Sequence, residues 1–328
     1  MKTIVPLIAF GLASLITASI AIEGDARADD YPSGQVKIIN PYPAGGPGDV
    51  ISRILAQKLS EDTGGRFYVE NLPGAGGTIG AGAAAKAAAD GRTILMVNQD
   101  FIVQALVKSK IPYDPFNGFA PIGLVATAPE MISVHPSVPA KNMEELLALL
   151  KANPGKYSYA TPGYGTSPHL ACERLFRISY GLDVVAVPFQ GAAPAVQSTM
   201  AGHTQIIHVI APAVSPYIKH GALRALAVAS KARAPAFPDV PTLEESGVPN
   251  REVSFWMGGV VPVGTPKPII ELLHAAFARA MELPEVRQRL AELDFEPAVS
   301  TPDKFAAHMR TQWETWKPVV QEANIKVE

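Results

Sequence analysis

Two glycine-rich stretches have the makings of an anion-holding loop. In Tyr42-Pro43-Ala44-Gly45-Gly46-Pro47-Gly48-Asp49, adjacent glycines let the backbone turn tightly and bring N–H groups close to a ligand, an approach that a β-carbon would obstruct. Val50, Ile51, Ile54, Leu55 and Leu59 follow at helical spacing, so a helix starting near Gly48 aims unpaired N–H groups and its positive dipole end at the loop. Asp49 falls in that first turn, where a carboxylate caps the helix or lines the loop. Tyr42 and Pro43 are read as a wall. The second stretch, "NLPGAGGTIGAG" from Asn71 to Gly82, joins the apolar run Phe67–Val69 to an alanine-rich segment. It has strand–turn–helix form, but not the dinucleotide fingerprint. After Gly74 and Gly76 the third glycine comes one residue late, at Gly80, and "TILMVN" meets no acid before Asp100. Gly76, Gly77 and Thr78 are candidates either for ligand contact or for sheet–helix packing.

Residues for covalent or acid–base chemistry are sparse. There is no G-x-S-x-G elbow, no H-E-x-x-H and no His/Cys cluster at metal spacing, and His135, His169, His203, His208 and His220 are scattered singly. Glu144-Glu145 and Glu244-Glu245 are pairs at helix starts. The single cysteine, Cys172, lies in the apolar segment Leu170–Ile178 and is read as a buried small hydrophobe. We therefore expect a binding protein, not an enzyme, with no cofactor and no metal. A nucleotide-dependent oxidoreductase using the Gly74 loop is the enzyme-class alternative.

The elements that must position these loops are legible in outline. The chain has 328 residues, 48% hydrophobic and 18% charged, with a formal net charge of −2, giving ample core and no pull toward nucleic acid. Lys2, the apolar run Pro6–Ile22 and Ala26-Arg27-Ala28 form the pattern of a cleaved export signal, residues 1–28, so a periplasmic location is expected. "VKIIN", "RFYVEN" and "TILMVN" alternate with helical segments, which predicts a parallel sheet with covering helices. "IGLVATAPEMISVHP" and "FWMGGVVPVGTPKP" are long enough to cross between two such units, and three amphipathic helices close the chain. The expected fold is therefore α/β, with two domains joined by two crossing strands and a ligand cleft between them. The domains run 29–128, 129–251 and back to the first over 252–328, with the hinge near Ala126–Pro129 and Arg251–Ser254.

The ordered series "PYPAGGPGDVISRILAQKL", "VENLPGAGGTIGAGAAAKAAADGRTILM", "YATPGYGTSPHLACERL", "VPFQGAAPAV", "GALRALAVAS", "FPDVPTLEESGVP" and "VPVGTPKPII" resembles the substrate-binding receptors of tripartite tricarboxylate transporters, the Bug-type family. The resemblance runs from about Val36 to Trp316. It implies a type II periplasmic binding-protein fold, capture of a small organic carboxylate by hinged closure, and delivery to membrane permease subunits. A monomer is expected. It also implies that one ligand carboxylate is pinched between the loop Pro41–Asp49 and a second loop, Tyr164-Gly165-Thr166-Ser167. There Gly165 permits approach, and Thr166 and Ser167 add hydroxyls at a helix start. His169 is open between a helix-face role and a ligand contact. Gln190, Gly191 and Ala192 are placed at a third edge of the cleft. Relatives commonly carry aspartate where His208 stands, so His208 is either a partner for a distal acidic group, particularly when protonated, or a hydrogen-bonded core histidine. A sensing module for a signalling partner shares the same cleft and stays open at this point.

Overall fold

Strand β1 (Gln35–Asn40) buries Val36 and Ile38 against Ile51, Leu55 and Leu59 of helix α1 (Pro47–Thr63), so the 3.6-residue spacing becomes one wall of a core. Pro47 opens α1 and Gly64 closes it in the left-handed region. The structure, a computed structural model, describes residues 31–249 and 253–327. The export signal and part of the second predicted hinge segment lie outside the described residues.

The alternation continues through β2 (Arg66–Asn71), a 3-10 turn over Ala75–Gly77, α2 (Thr78–Ala85), β3 (Thr93–Asn98) and α3 (Gln99–Val107). Then come the sixteen-residue strand β4 (Phe119–Val134), α4 (Met143–Ala152), β5 (Ser158–Thr161) and α5 (Ser167–Cys172), the last prolonged by a π-helical stretch to Ser179. The elements β6 (Val185–Pro188), α6 (Ala192–Met200), β7 (Ile206–Ile210), α7 (Ala211–Lys219) and β8 (Arg224–Val228) follow. The chain ends with β9 (Ser254–Pro262), α8 (Lys267–Glu282), α9 (Pro284–Glu292), β10 (Glu296–Pro297) and α10 (Pro302–Ala323).

The strand order is β2-β1-β3-β9-β4-β7-β5-β6, with β8 and β10 also on β4. Strand β4 carries the two-lobe arrangement. From Phe119 to Pro129 it pairs antiparallel with β9; from Glu130 to Val134 it pairs antiparallel with β7 on one edge and, from Met131, with β8 on the other. The flanking strands β1, β2 and β3 are parallel to one another, as are β5, β6 and β7. Carboxyl ends of parallel strands on both sides of β4 therefore supply the loops.

Two helices absent from the sequence reading matter. Helix α3 is capped by the Asn98 side chain, which accepts the Asp100 N–H, and α7 begins in a proline-bearing run, with Pro216 inside it. Helix α2 covers only the first part of the alanine-rich segment, stopping at Ala85. Val103 and Val107 of α3 and Trp316, Val319 and Val320 of α10 share one core with Leu170 and Phe176. Those helices thus reach across to the side that carries α5. Cys172 is buried in the same core, and burial pushes its thiol pKa up.

Candidate functional site

Asp49 folds the first loop onto itself. Its Oδ2 accepts the Gly45 N–H at 2.9 Å and the Arg53 guanidinium at 3.0 Å, and its Oδ1 accepts the Asn71 amide at 3.0 Å. Burial alone raises a carboxyl pKa, but the hydrogen bonds from Arg53, Gly45 and Asn71 outweigh it and hold this one below its ordinary value. Of the two roles open to Asp49, these contacts are those of the helix-start brace. Gly46 is the residue preceding α1, and Gly45 takes φ +76° with nothing within 4 Å of where a β-carbon would stand. Pro43, Ala44 and Gly45 are exposed. Tyr42 lies inward, its ring edge against Gly48 and Gly77, and its hydroxyl donates to Asn98 Oδ1 at 2.5 Å.

The Gly74 loop is packed more tightly than its composition suggests. A β-carbon on Gly76 would fall 2.5 Å from Gln104 Cδ, and one on Gly77 would meet the Tyr42 ring at 3.3 Å. Thr78 Oγ1 donates to Ala75 O at 3.0 Å, and Lys108 Nζ to the same oxygen at 2.9 Å. Of the two roles open to Gly76, Gly77 and Thr78, these contacts are those of packing.

On the far side Thr166 Oγ1 donates to Gly163 O at 2.7 Å, and the Gly165 N–H points to His169 Nδ1 at 3.3 Å. Tyr164 is exposed over the buried His169, with ring centres 4.5 Å apart, and burial pushes the His169 pKa down to about 4. The Ser167 N–H donates to Asp100 Oδ1 at 2.8 Å. Gln190 is exposed. Gly191, at φ 115°, precedes α6, donates its N–H to Pro162 O at 2.8 Å and, like Gly45, has open space around the β-carbon position. Ala192 is the first residue of α6.

Three residues that the sequence reading passed over tie these pieces together. Asn98 receives Tyr42, Asp100 receives Ser167, and Gln99 between them donates to Glu130 Oε1 at 2.8 Å and accepts the Trp256 N–H at 3.3 Å. Further along α3, Gln104 donates to Gly165 O at 3.0 Å. The start of α3 is thus a hub joining the loop of β1 to the loop of β5. Its signal in the sequence is a polar Asn-Gln-Asp triplet after the apolar run Ile94–Val97, with Asn98 in capping position. Glu130 was legible too, as an acid inside an apolar strand.

His208 is a buried residue of β7. It is 2% exposed, and its Nε2 lies 3.2 Å from Oε2 of Glu130, itself fully buried. Burial pushes the His208 pKa down to about 4; burial, then the charge of Asp100, push Glu130 up to about 8. A protonated His208 reaching for a distal acid is therefore not what this geometry offers; the core reading fits it. A cavity of about 390 Å³ lies between the crossing strands and α10, lined by Thr127, Pro129, Ser230, Trp256, His308 and Trp316. None of the candidate loop residues lines it, and its polar edge suits ordered water.

The model of the tripartite tricarboxylate transporter family receptor matches residues 51–325. The chain belongs to this receptor family. It is 33% identical to the protein BugT of Bordetella pertussis over 315 residues, 95% of this chain and 96% of BugT. Among solved structures, Rpa4515 of R. palustris with adipate matches at a TM-score of 0.85 and 30% identity, covering 90% of this chain and 99% of that one. MatC of Rhodopseudomonas palustris with bound malate matches at 0.80 and 30%, covering 88% and 100%. This is a solute-binding receptor of the periplasmic binding-protein fold, its two lobes sharing strand β4. Within the family's frame, the loops before α1 and α5 are the two that the α3 hub links.

Proposed function

We propose that this protein is exported to the periplasm, captures a small organic carboxylate between its lobes, and hands it to membrane permease subunits without chemical change. One observation carries the reading. The glycines that precede α1 and α6, Gly45-Gly46 and Gly191, stand at helix starts, and Gly45 and Gly191 have open space where a side chain would be. The N–H groups of Gly45 and Gly191 are engaged by Asp49 and Pro162 O, so these starts offer an anion close backbone approach and the positive helix end, with no lysine or arginine needed. The adipate and malate found in Rpa4515 and MatC support the ligand class.

In this reading Tyr42 to Gly46 and Tyr164 to Ser167 grip one carboxylate. Gln190, Gly191 and Ala192 form a further edge, and Gly76, Gly77 and Thr78 form a wall. Asp49, His169 and His208 support the site from behind. The proposed boundaries are a leader of residues 1–28, a first domain of 29–128 and 252–328, and a second of 129–251, working as a monomer. Closure requires only that the ligand bind the closed state better than the open one.

A thermal-shift screen of the purified mature chain against mono-, di- and tricarboxylates tests it. A ligand present at a hundred times its Kd stabilises the fold by about 2.7 kcal/mol. At least one acid should raise Tm by several degrees; a flat response across the panel would remove the carboxylate reading.

A further inference from the structure

Asp100 puts a carboxylate of the protein itself at the place where the receptor reading needs a ligand carboxylate. It belongs to α3, yet its Oδ1 holds the backbone N–H of Ser167, at the start of α5, at 2.8 Å. The same residue's N–H is fixed by Asn98 Oδ1 at 2.9 Å, the atom that also receives Tyr42. The acid is thus held from both loops, and it is only partly exposed. Among the described residues none of the ion pairs includes Asp100.

The titratable neighbours give it no cation. From the elements around the start of α3 they are Tyr42, Tyr113 of the segment after α3, Glu130 of β4, His208 of β7, His169 of α5 and His308 of α10. Burial first, and then the charge of Asp100, oppose ionisation of Tyr42, Tyr113 and Glu130. The three histidines are shifted toward neutrality by burial. Lys108, at the far end of α3, is engaged with Ala75 O.

A second carboxylate arriving at Ser167 meets this charge in a site shielded from water, where like charges repel strongly. Resting on the receptor reading, we infer that the ligand carboxylate takes the Ser167 N–H over from Asp100, and that Asp100 is neutralised by a proton drawn from solvent as the lobes close. The hydrogen bond from Ser167 N–H passes from Asp100 Oδ1 to the ligand, and one O–H bond forms on Asp100 at the expense of a hydronium ion. Ligand capture is then proton-coupled, and Asp100 is a positioning residue that sets its pH range. The free protein is poised for this, since burial already pushes the Asp100 pKa up to about 6, against the pull of the Ser167 N–H and side chain.

Calorimetry of the mature protein with adipate and with malate, in phosphate and in Tris, counts the protons taken up per ligand. Between about pH 6.5 and 8 the uptake should approach one proton, and affinity should fall roughly tenfold per pH unit. In D100N, which keeps an oxygen for Ser167, the uptake should vanish and affinity should become flat with pH. Binding by the wild type without proton uptake overturns the inference and leaves the receptor reading standing. Unchanged uptake in D100N, or loss of binding by a folded D100N, overturns it as well. Should D100N fail to fold, the wild-type count decides alone. If neither acid binds, the count is made with whichever acid the thermal screen finds; if no acid binds, the receptor reading and the inference fall together.

Discussion

Nε2 of His208 stands 3.2 Å from Oε2 of Glu130, at the register where β4 leaves β9 and begins to pair with β7. Both groups are shut off from solvent, so the pair holds one proton between them over a wide pH range. Glu130, raised from 4.5 to about 8, keeps in the fold a proton that the unfolded chain has released, so its contribution falls as pH rises through that window. His208, lowered from 6.5 to about 4, does the reverse between those values. The two nearly cancel where they overlap, leaving a net loss of stability from about pH 6.5 to 8. E130Q keeps the Gln99 hydrogen bond and should abolish that loss. Urea midpoints across the pH series check it, and an equal alkaline slope in E130Q would refute it.

Tyr42→Phe removes a hydroxyl whose acceptor, Asn98 Oδ1, keeps the Asp100 N–H. Because the acceptor stays satisfied, the stability loss should be only about 1 kcal/mol. Carboxylate affinity should drop more than this, since the ring then loses its fixed position between Gly48 and Gly77. Paired urea melts and calorimetric titrations separate the two effects; a stability loss with unchanged affinity would take Tyr42 out of the grip.

The sequence disclosed the loops by composition because helix-start chemistry is local: glycines, a proline at the first helical position and apolar spacing sit within a dozen residues. It disclosed the crossing strand for the same reason, since β4 is one long apolar run. The hub at Asn98, Gln99 and Asp100 was illegible as a hub because each of its partners is distant in sequence, Tyr42, Glu130, Trp256 and Ser167. The packing of Gly76 against Gln104 was hidden likewise: a glycine needed for close approach and one needed for ligand access look the same in a sequence. Helix α7 was missed for a local reason, prolines in its first turn and interior.

That ambiguity yields a paired prediction. A β-carbon on Gly80 would meet Leu72 O at 2.9 Å and Pro41 Cα at 3.0 Å, both backbone atoms that cannot step aside. Gly80→Ala should therefore destabilise by about 1–3 kcal/mol, as overpacking does. Gly45→Ala meets nothing within 4 Å, and only its φ of +76° opposes the change, at about 1 kcal/mol. Yet Gly45→Ala, at an open loop, should weaken ligand binding, whereas Gly80→Ala should leave the affinity of its folded fraction near normal. Urea midpoints with calorimetry test both; the opposite assignment would exchange wall and grip.

Asp49 offers the sharpest separation of brace from contact. Its carboxylate accepts from Gly45, Arg53 and Asn71 and so joins the first loop to both α1 and the end of β2. Arg53 is more than half exposed and adds little through water, so the part-buried bonds from Gly45 and Asn71 carry most of the effect. Asp49→Ala should remove about 1–2 kcal/mol at neutral pH. Because the folded pKa is lowered, the wild-type advantage is present above the ordinary carboxylate range and is lost as pH falls through the folded value. The difference in urea midpoint between wild type and D49A should accordingly shrink on acidification to about pH 3. A brace predicts that stability loss with a modest, loop-mediated fall in affinity. A ligand contact predicts the reverse, full stability with lost affinity, and that outcome would return Asp49 to the binding surface.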